Sequence, residues 1–239
     1  RIYESIRFWT MSVAEYLDEY IETDVIKAAM SGSAIICTAL CINSPGTALF
    51  LLHHYMGDVD GNVGSWGFAR GGMGAVSNAI AGAFQSYGGE LRTEAGVDKI
   101  IVRNGKARGV GLENGDELAA NIVVSAMDVK RTFLTFMDRS DLDEDVHTRV
   151  EHFKIRGSSG KLNIALDGLP TFPALPEGSS LHISDMHFID SMERMERAYD
   201  DWKVGTWSKD PYIDMVMPTT VDPTMAPPGK HFMSCFIQY

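Results

Sequence analysis

The 239 residues are 45% apolar and 22% charged, ordinary proportions for a globular protein with a sizeable core. A net charge of -11 and a pI near 5.0, with no Lys/Arg stripe to oppose them, exclude a nucleic-acid backbone as partner. Three cysteines (Cys37, Cys41, Cys235) without CxxC spacing exclude a disulfide framework and a zinc site, and predict buried free thiols in a reducing compartment.

The chain opens RIYESIRFW, without the basic region and apolar core of a secretory leader. It closes inside the apolar alternation HFMSCFIQY, so both ends are expected to be cuts in a longer chain. Its most apolar run, AIICTALCI at 34–42, is too short to cross a bilayer. Ser12 followed by Glu15 is a capping box and predicts a helix over 12–21, with Val13, Leu17 and Tyr20, beside Tyr16 and Ile21, on its apolar face. A short helix follows from Asp24 to about Met30. Gly32, Pro45 and Gly46 then punctuate an apolar helical region reaching His53 and His54, in which Cys37 and Cys41 would share a face. GDVDGNVGSWG (57–67) reads as a glycine-rich loop, and RGGMGAVSNAIAGAF (70–84) as a loop feeding a helix.

Beyond it the period changes. Asn104-Gly105 and Asn114-Gly115 each offer the two positive-φ positions of a type I′ hairpin, which predicts a three-stranded antiparallel meander. IVVSA (122–126) reads as a fully buried strand, and RSDLDEDVHTRVEH as a solvated helix. KLNIAL (161–166), SLHIS (180–184), YIDMVMP (212–218) and HFMSCFIQY (231–239) alternate as strands. Between them, DSMERMERAYDDWK (190–203) sets Met192, Met195, Tyr199 and Trp202 on one helical stripe.

The motifs give little when taken singly. Gly72-Met73-Gly74-Ala75-Val76-Ser77 is G-x-G-x-x-S, and GNVGSWGFAR before it cannot be the buried parallel strand that a dinucleotide fingerprint needs. The loop is therefore not a self-sufficient pyrophosphate cradle. GSSGKL (157–162) fails as a P-loop, with Ile155 at the first glycine position and Leu162 in place of Ser/Thr. His182, Asp185, His187 and Asp190 could be drawn as a metal cluster, but on a strand 182 and 187 face opposite ways, so hydrogen-bonded or surface histidines are expected and no metal. No nucleophile elbow or catalytic triad can be argued from spacing. Seven of the 13 methionines (186, 192, 195, 215, 217, 225 and 233) crowd the second half, as core filling or as the soft lining of an apolar pocket; both readings stay open.

Taken in order, the segments resemble a known family. WGFARGGMGAVSNAIAGAFQSYGGELRTEAGVDKIIVRNGKARGVGLENGDELAANIVVSAMDVKRTF is similar to the central segment of the phytoene-desaturase-like FAD-dependent oxidoreductases, especially their pyridine-nucleotide-disulfide-oxidoreductase-domain-2 branch. MSVAEYLDEYIETDVIKAAM, NSPGTALFLLHHYMGDVDG and PTTVDPTMAPPGKHFMSCFIQY resemble the same branch, so the likeness covers nearly the whole chain. It implies an α+β fold: part of a glutathione-reductase-type FAD domain with an antiparallel meander, plus a substrate domain of mixed antiparallel sheet and helices. The implied divisions are 1–69 (helical part of the substrate domain), 70–130 (middle of the FAD domain) and 131–239 (the substrate domain's sheet and helices).

The resemblance implies FAD as cofactor and hydride transfer from an apolar small-molecule substrate to flavin. Gly71, Gly72, Met73, Val97, Ser125 and Ala126 would meet the cofactor, and Arg70, Lys230 and His231 the substrate. Val97 would lie at the adenine end, and Ser125 and Ala126 on a strand returning toward the cofactor. The family's N-terminal glycine fingerprint and C-terminal flavin segment are absent, so tight FAD binding by this stretch alone is not expected. A binding or regulatory protein on the same scaffold is the alternative. A membrane-docked carotenoid desaturase is a third reading, against which stands the lack of a basic amphipathic helix. No stable membrane insertion is expected, homo-oligomerisation stays open, and cytoplasm or mitochondrial matrix is the expected compartment.

Overall fold

The computed structural model describes residues 2–176 and 185–239, and the chain divides into two units, Arg1–Ile80 with Arg156–Tyr239, and Ala81–Ile155. Helices and antiparallel sheets are mixed, as the sequence implied. The strand expected at 180–184, with His182, lies outside the described residues.

In the first unit, helices α1 (Ile2–Thr10), α2 (Val13–Asp18), α3 (Asp24–Ile35) and α4 (Thr47–His54) precede a hairpin of β1 (Asp58–Val59) and β2 (Asn62–Val63). The capping box starts α2: the Glu15 N–H donates to Ser12 Oγ at 3.2 Å, and the Ser12 N–H donates to Glu15 Oε2 at 2.9 Å. Helix α5 (Gly72–Ser86) follows the glycine loop, as expected.

The unit's sheet has the order β6-β9-β8-β7, from β6 (Ser159–Leu166), β7 (Met186–Phe188), β8 (Tyr212–Val216) and β9 (His231–Gln238), all antiparallel. Val13 and Leu17 of α2, Ala28, Ala34 and Ile35 of α3, Met195 of α7 (Met192–Lys203) and Tyr212 of β8 share one core. The predicted stripe of α7 holds, with Met192, Tyr199 and Trp202 packed against that core. Each large apolar side chain buried there contributes about 1.5–3 kcal/mol.

A buried amide ties β9 to the end of α3. Gln238 is fully buried; its Nε2 donates to the Ile35 carbonyl at 2.6 Å, and its Oε1 accepts the Cys37 N–H at 3.0 Å. Gln238→Leu strands a donor and an acceptor, so chemical denaturation should show a loss of about 2 kcal/mol. An unchanged midpoint would mean that water replaces the amide.

The same contact marks where α3 ends. Helix α3 runs beyond Met30 to Ile35, but the chain then leaves the helix, and Cys37 is left-handed at φ +58°. Cys37 and Cys41 therefore share no helical face. Cys37 is exposed, whereas Cys41 and Cys235 are buried as expected.

The second unit holds the meander β3 (Val97–Arg103), β4 (Lys106–Leu112) and β5 (Glu117–Ala119), with the solvated helix α6 (Glu144–His152). Asn104 (φ +52°) and Gly105 (φ +68°) form the expected two-residue turn between paired Arg103 and Lys106. Asn114-Gly115 does not. Its loop is longer, only Gly115 is left-handed, and Asn114 Oδ1 accepts the Asp116 N–H at 3.0 Å. Residues 122–126 are no strand, and Ile122 and Val124 are 79% and 88% exposed. A run of strand-forming residues needs a neighbour for its backbone groups, and no described strand pairs with it.

Candidate functional site

The glycine loop is where remote parts of the first unit converge. Gly71 and Gly72 are both left-handed (φ +83° and +76°), a conformation that costs glycine little and other residues more. The Gly71 N–H donates to Asp222 Oδ2 at 2.6 Å, across 151 positions of sequence. The other carboxylate oxygen, Oδ1, accepts the Thr224 N–H at 3.1 Å and its hydroxyl at 2.6 Å. The Thr224 hydroxyl, the Gly71 N–H and the nearby Arg70 charge hold the Asp222 carboxyl below the usual range. Gly72 lies against Met225, whose Cε would be 2.7 Å from a Cβ built there.

Asp222 itself lies between two short 3-10 turns, Pro218–Thr220 and Pro223–Met225, each opened by a proline. The Asp-Pro pair and Thr224 two residues on signal a local Asx turn, but nothing local signals the bond to Gly71. A carboxylate already occupies this amide, so the amide is not free for a phosphate. The sequence expectation that the loop is no pyrophosphate cradle thus gains a physical cause.

The other candidates are placed as follows. Arg70 and Met73 are exposed, Met73 at 77%. Lys230 Nζ is 2.7 Å from Asp167 Oδ1 in a surface ion pair, and its N–H closes a turn onto Pro227. His231 begins β9, with Nδ1 2.9 Å from Thr219 Oγ1. Val97, Ser125 and Ala126 belong to the second unit. Val97 pairs with Leu112, and the Ser125 hydroxyl lies 2.7 Å from that of Thr132.

Strand alternation gives the first unit's sheet an apolar face. Leu162 and Ile164 share it with Met233, Cys235, Ile237, Ile213, Met215, Met186 and Phe188. Met215, Cys235 and Met217 are buried and form a core of their own, whereas Leu162 and Phe188 are 49% and 44% exposed.

A polar cluster at β7 and β8 joins His187 and Asp185, both drawn from sequence as possible metal ligands, to Tyr212 and Asp214, which sequence did not single out. His187 Nδ1 bonds the Tyr212 hydroxyl, His187 Nε2 lies 3.6 Å from Asp185 Oδ2, and the Asp214 and Asp185 carboxyls hydrogen-bond. Burial first, then the bond to Asp185 and its charge, push the Asp214 carboxyl up to about 8. Burial likewise pushes the Tyr212 phenol well above its usual value. The raised value favours a protonated Asp214 carboxyl that donates to Asp185. Among the described residues, no group of three or more His, Cys, Asp or Glu side chains could hold a metal ion. No described helix is long and apolar enough to cross a membrane.

Against known proteins, residues 15–166 match the family model described as flavin containing amine oxidoreductase. The chain is 33% identical over 237 residues to the mouse (Mus musculus) pyridine nucleotide-disulfide oxidoreductase domain-containing protein 2, covering 96% of this chain and 41% of that protein. It is 28% identical over 174 residues to a neurosporene-forming phytoene desaturase of Cereibacter sphaeroides, covering 68% of this chain and 30% of the desaturase. The chain thus spans well under half of either relative. The fold is similar to a crystal structure of an oxidoreductase from Methanosarcina mazei, with TM-score 0.59 and 18% identity, covering 96% of this chain and 47% of that one.

Proposed function

The chain belongs to the flavin-containing amine oxidoreductase family, and from that premise we propose that it forms part of an FAD-dependent enzyme removing hydride from a carbon of an apolar organic substrate. Bound FAD supplies the hydride acceptor. The chain's own residues bind and orient the substrate, bring backbone close to the flavin ring and keep water out. This division of labour needs no activated nucleophile.

Arg70, Gly71, Gly72 and Met73 are assigned to the flavin–substrate junction. The open backbone that would admit a flat uncharged ring is at Gly74, where nothing lies within 4 Å of a Cβ built there, whereas Ala75 and Met225 fill that space at Gly71 and Gly72. The loop does not fit the pyrophosphate, because Asp222 already takes the Gly71 amide. In the second unit, Val97 is assigned to the adenine end through backbone groups, and Ser125 and Ala126 to the segment returning toward the cofactor. Lys230 and His231 are assigned to the substrate side.

The apolar sheet face carries the substrate class. Its exposed Leu162, Ile164 and Phe188 border buried methionines, a lining suited to hydrocarbon and poor in groups that would hold a polar substrate. The phytoene desaturase relative supports the same class.

The test is the visible absorbance of this chain alone and joined to the flanking sequence its relatives carry. The longer form should carry flavin and be bleached stoichiometrically by an apolar substrate, while the 239-residue chain stays colourless. Flavin on the short chain would overturn the argument about the pyrophosphate. If neither form takes up added FAD, the oxidoreductase reading falls and a regulatory scaffold replaces it.

A further inference from the structure

We propose that Asp222 is the positioning residue of the Arg70–Met73 loop, its carboxylate doing from a distant turn what a helix-capping side chain does locally. That the positioned loop serves a flavin rests on the function proposed above; the clamp itself does not.

Consider first what the loop lacks. Two successive left-handed glycines can leave that conformation at little cost, so Gly71 and Gly72 alone would not hold one backbone path into α5. Arg70, Ser65 and Ser77 are the polar side chains nearest in sequence, and none of them accepts the Gly71 N–H, which goes to Asp222 Oδ2. A local Asx turn would use only one carboxylate oxygen. Here Oδ1 closes that turn onto Thr224 while Oδ2 reaches the loop, so both oxygens are committed and the residue is buried at 8% exposure. The backbone behind the carboxylate is fixed as well, since the Asp222 N–H donates to the Pro218 carbonyl at 2.9 Å. Met225, on the following turn, covers Gly72. Two adjacent glycines are therefore held by two residues of one proline-bounded segment, one through charge and one through contact.

The consequence is chemical as well as mechanical. The Asp222 carboxylate occupies the Gly71 amide, so that amide is not free to bind an anion from outside. Arg70 is a local counter-charge, so protonating or removing Asp222 would both release Gly71 and leave Arg70 uncompensated.

The Gly71 amide reports the clamp directly. In uniformly 15N-labelled protein its proton resonance should lie downfield and move as the pH is lowered into the acid range, with a midpoint below that of an ordinary aspartate. Asp222→Asn keeps the size of the side chain but removes the charge and one acceptor. It should abolish that titration, speed amide exchange at Gly71 by roughly tenfold and speed tryptic cleavage after Arg70 by a similar factor. Thr224→Val should leave the titration in place with its midpoint raised, because Oδ1 loses a donor while Oδ2 keeps Gly71. A Gly71 amide that does not titrate, or that exchanges equally in wild type and Asp222→Asn, overturns the proposal. Should Asp222→Asn fail to fold, the Thr224→Val midpoint decides: a rise supports the clamp and no movement overturns it. In the longer flavin-carrying form, Asp222→Asn should also alter the shape of the flavin absorption band. An unaltered band beside an altered Gly71 amide would overturn the placement of the loop at the flavin and leave the clamp standing.

Discussion

Gly32→Ala lowers the unfolding free energy by about 3 kcal/mol or more, although alanine is the better helix former. Gly32 lies inside α3, where propensity alone would favour alanine by about 1 kcal/mol. Packing reverses the sign. A Cβ there would overlap the hydroxyl and Cζ of Tyr212 and sit 3.0 Å from its Cε1. Tyr212 cannot swing aside, because it is 2% exposed, its hydroxyl bonds His187, and its ring belongs to the core that α3 closes. The helix must lift from the sheet, or the phenol must lose its partner while remaining buried.

Gly82→Ala is the control. Gly82 lies inside α5, and no heavy atom stands within 4 Å of a Cβ built on it, so propensity acts unopposed. It should stabilise by about 0.5–1 kcal/mol. Chemical denaturation of both variants separates the two effects. Equal and small shifts would show that α3 does not pack on Tyr212 as described.

What could be read in advance follows from how far each interaction reaches along the chain. The capping box of α2, the Asn104-Gly105 turn and the stripe of α7 each lie within a few residues, and each was legible. IVVSA failed for the opposite reason. Its composition states a preference for strand, but pairing depends on a neighbour, and Val124 stands almost fully exposed. Asn114-Gly115 shows a milder competition, in which the Asn114 side chain bonds the Asp116 amide and a longer loop replaces the tight turn. The helix at Ile2–Thr10 carries no sequence cap comparable to Ser12, and its start drew no expectation.

The candidate site divides along the same line. The glycines of the loop were visible because Gly-rich sequence is punctuation, and the family resemblance placed them. Asp222 was invisible because its partner is 151 residues away, and Gln238 because its partners are about 200 away. Both are polar residues buried in segments whose alternation or turn chemistry accounts for them locally. Only the fold shows that each has a second, remote task.

Asp214 gives the chain a stability that falls as pH rises through neutrality, and Asp214→Asn removes that fall. Its carboxyl is pushed up to about 8 in the native state, by burial and by Asp185, with Lys161 a partial offset. In the unfolded chain it titrates near 4. Between these values the native state holds a proton that the unfolded state has released. Stability therefore declines with pH across about 4 to 8 and levels above it. Each pH unit in that window removes about 1.4 kcal/mol at most. Allowing for the partial exposure of the carboxyl, the whole decline attributable to Asp214 comes to about 3 kcal/mol. Asparagine keeps the donor to Asp185 without the charge, so the variant and the wild type should be closest near pH 4 and diverge toward pH 8, the variant being the more stable. Groups with lowered values, Glu15 and Asp222 among them, add a rise with pH in the acid range to both proteins and cancel in the difference. Urea denaturation at pH 5, 6.5 and 8 measures that difference. Parallel curves would mean that Asp214 takes up no proton on folding, and that water reaches its carboxyl freely.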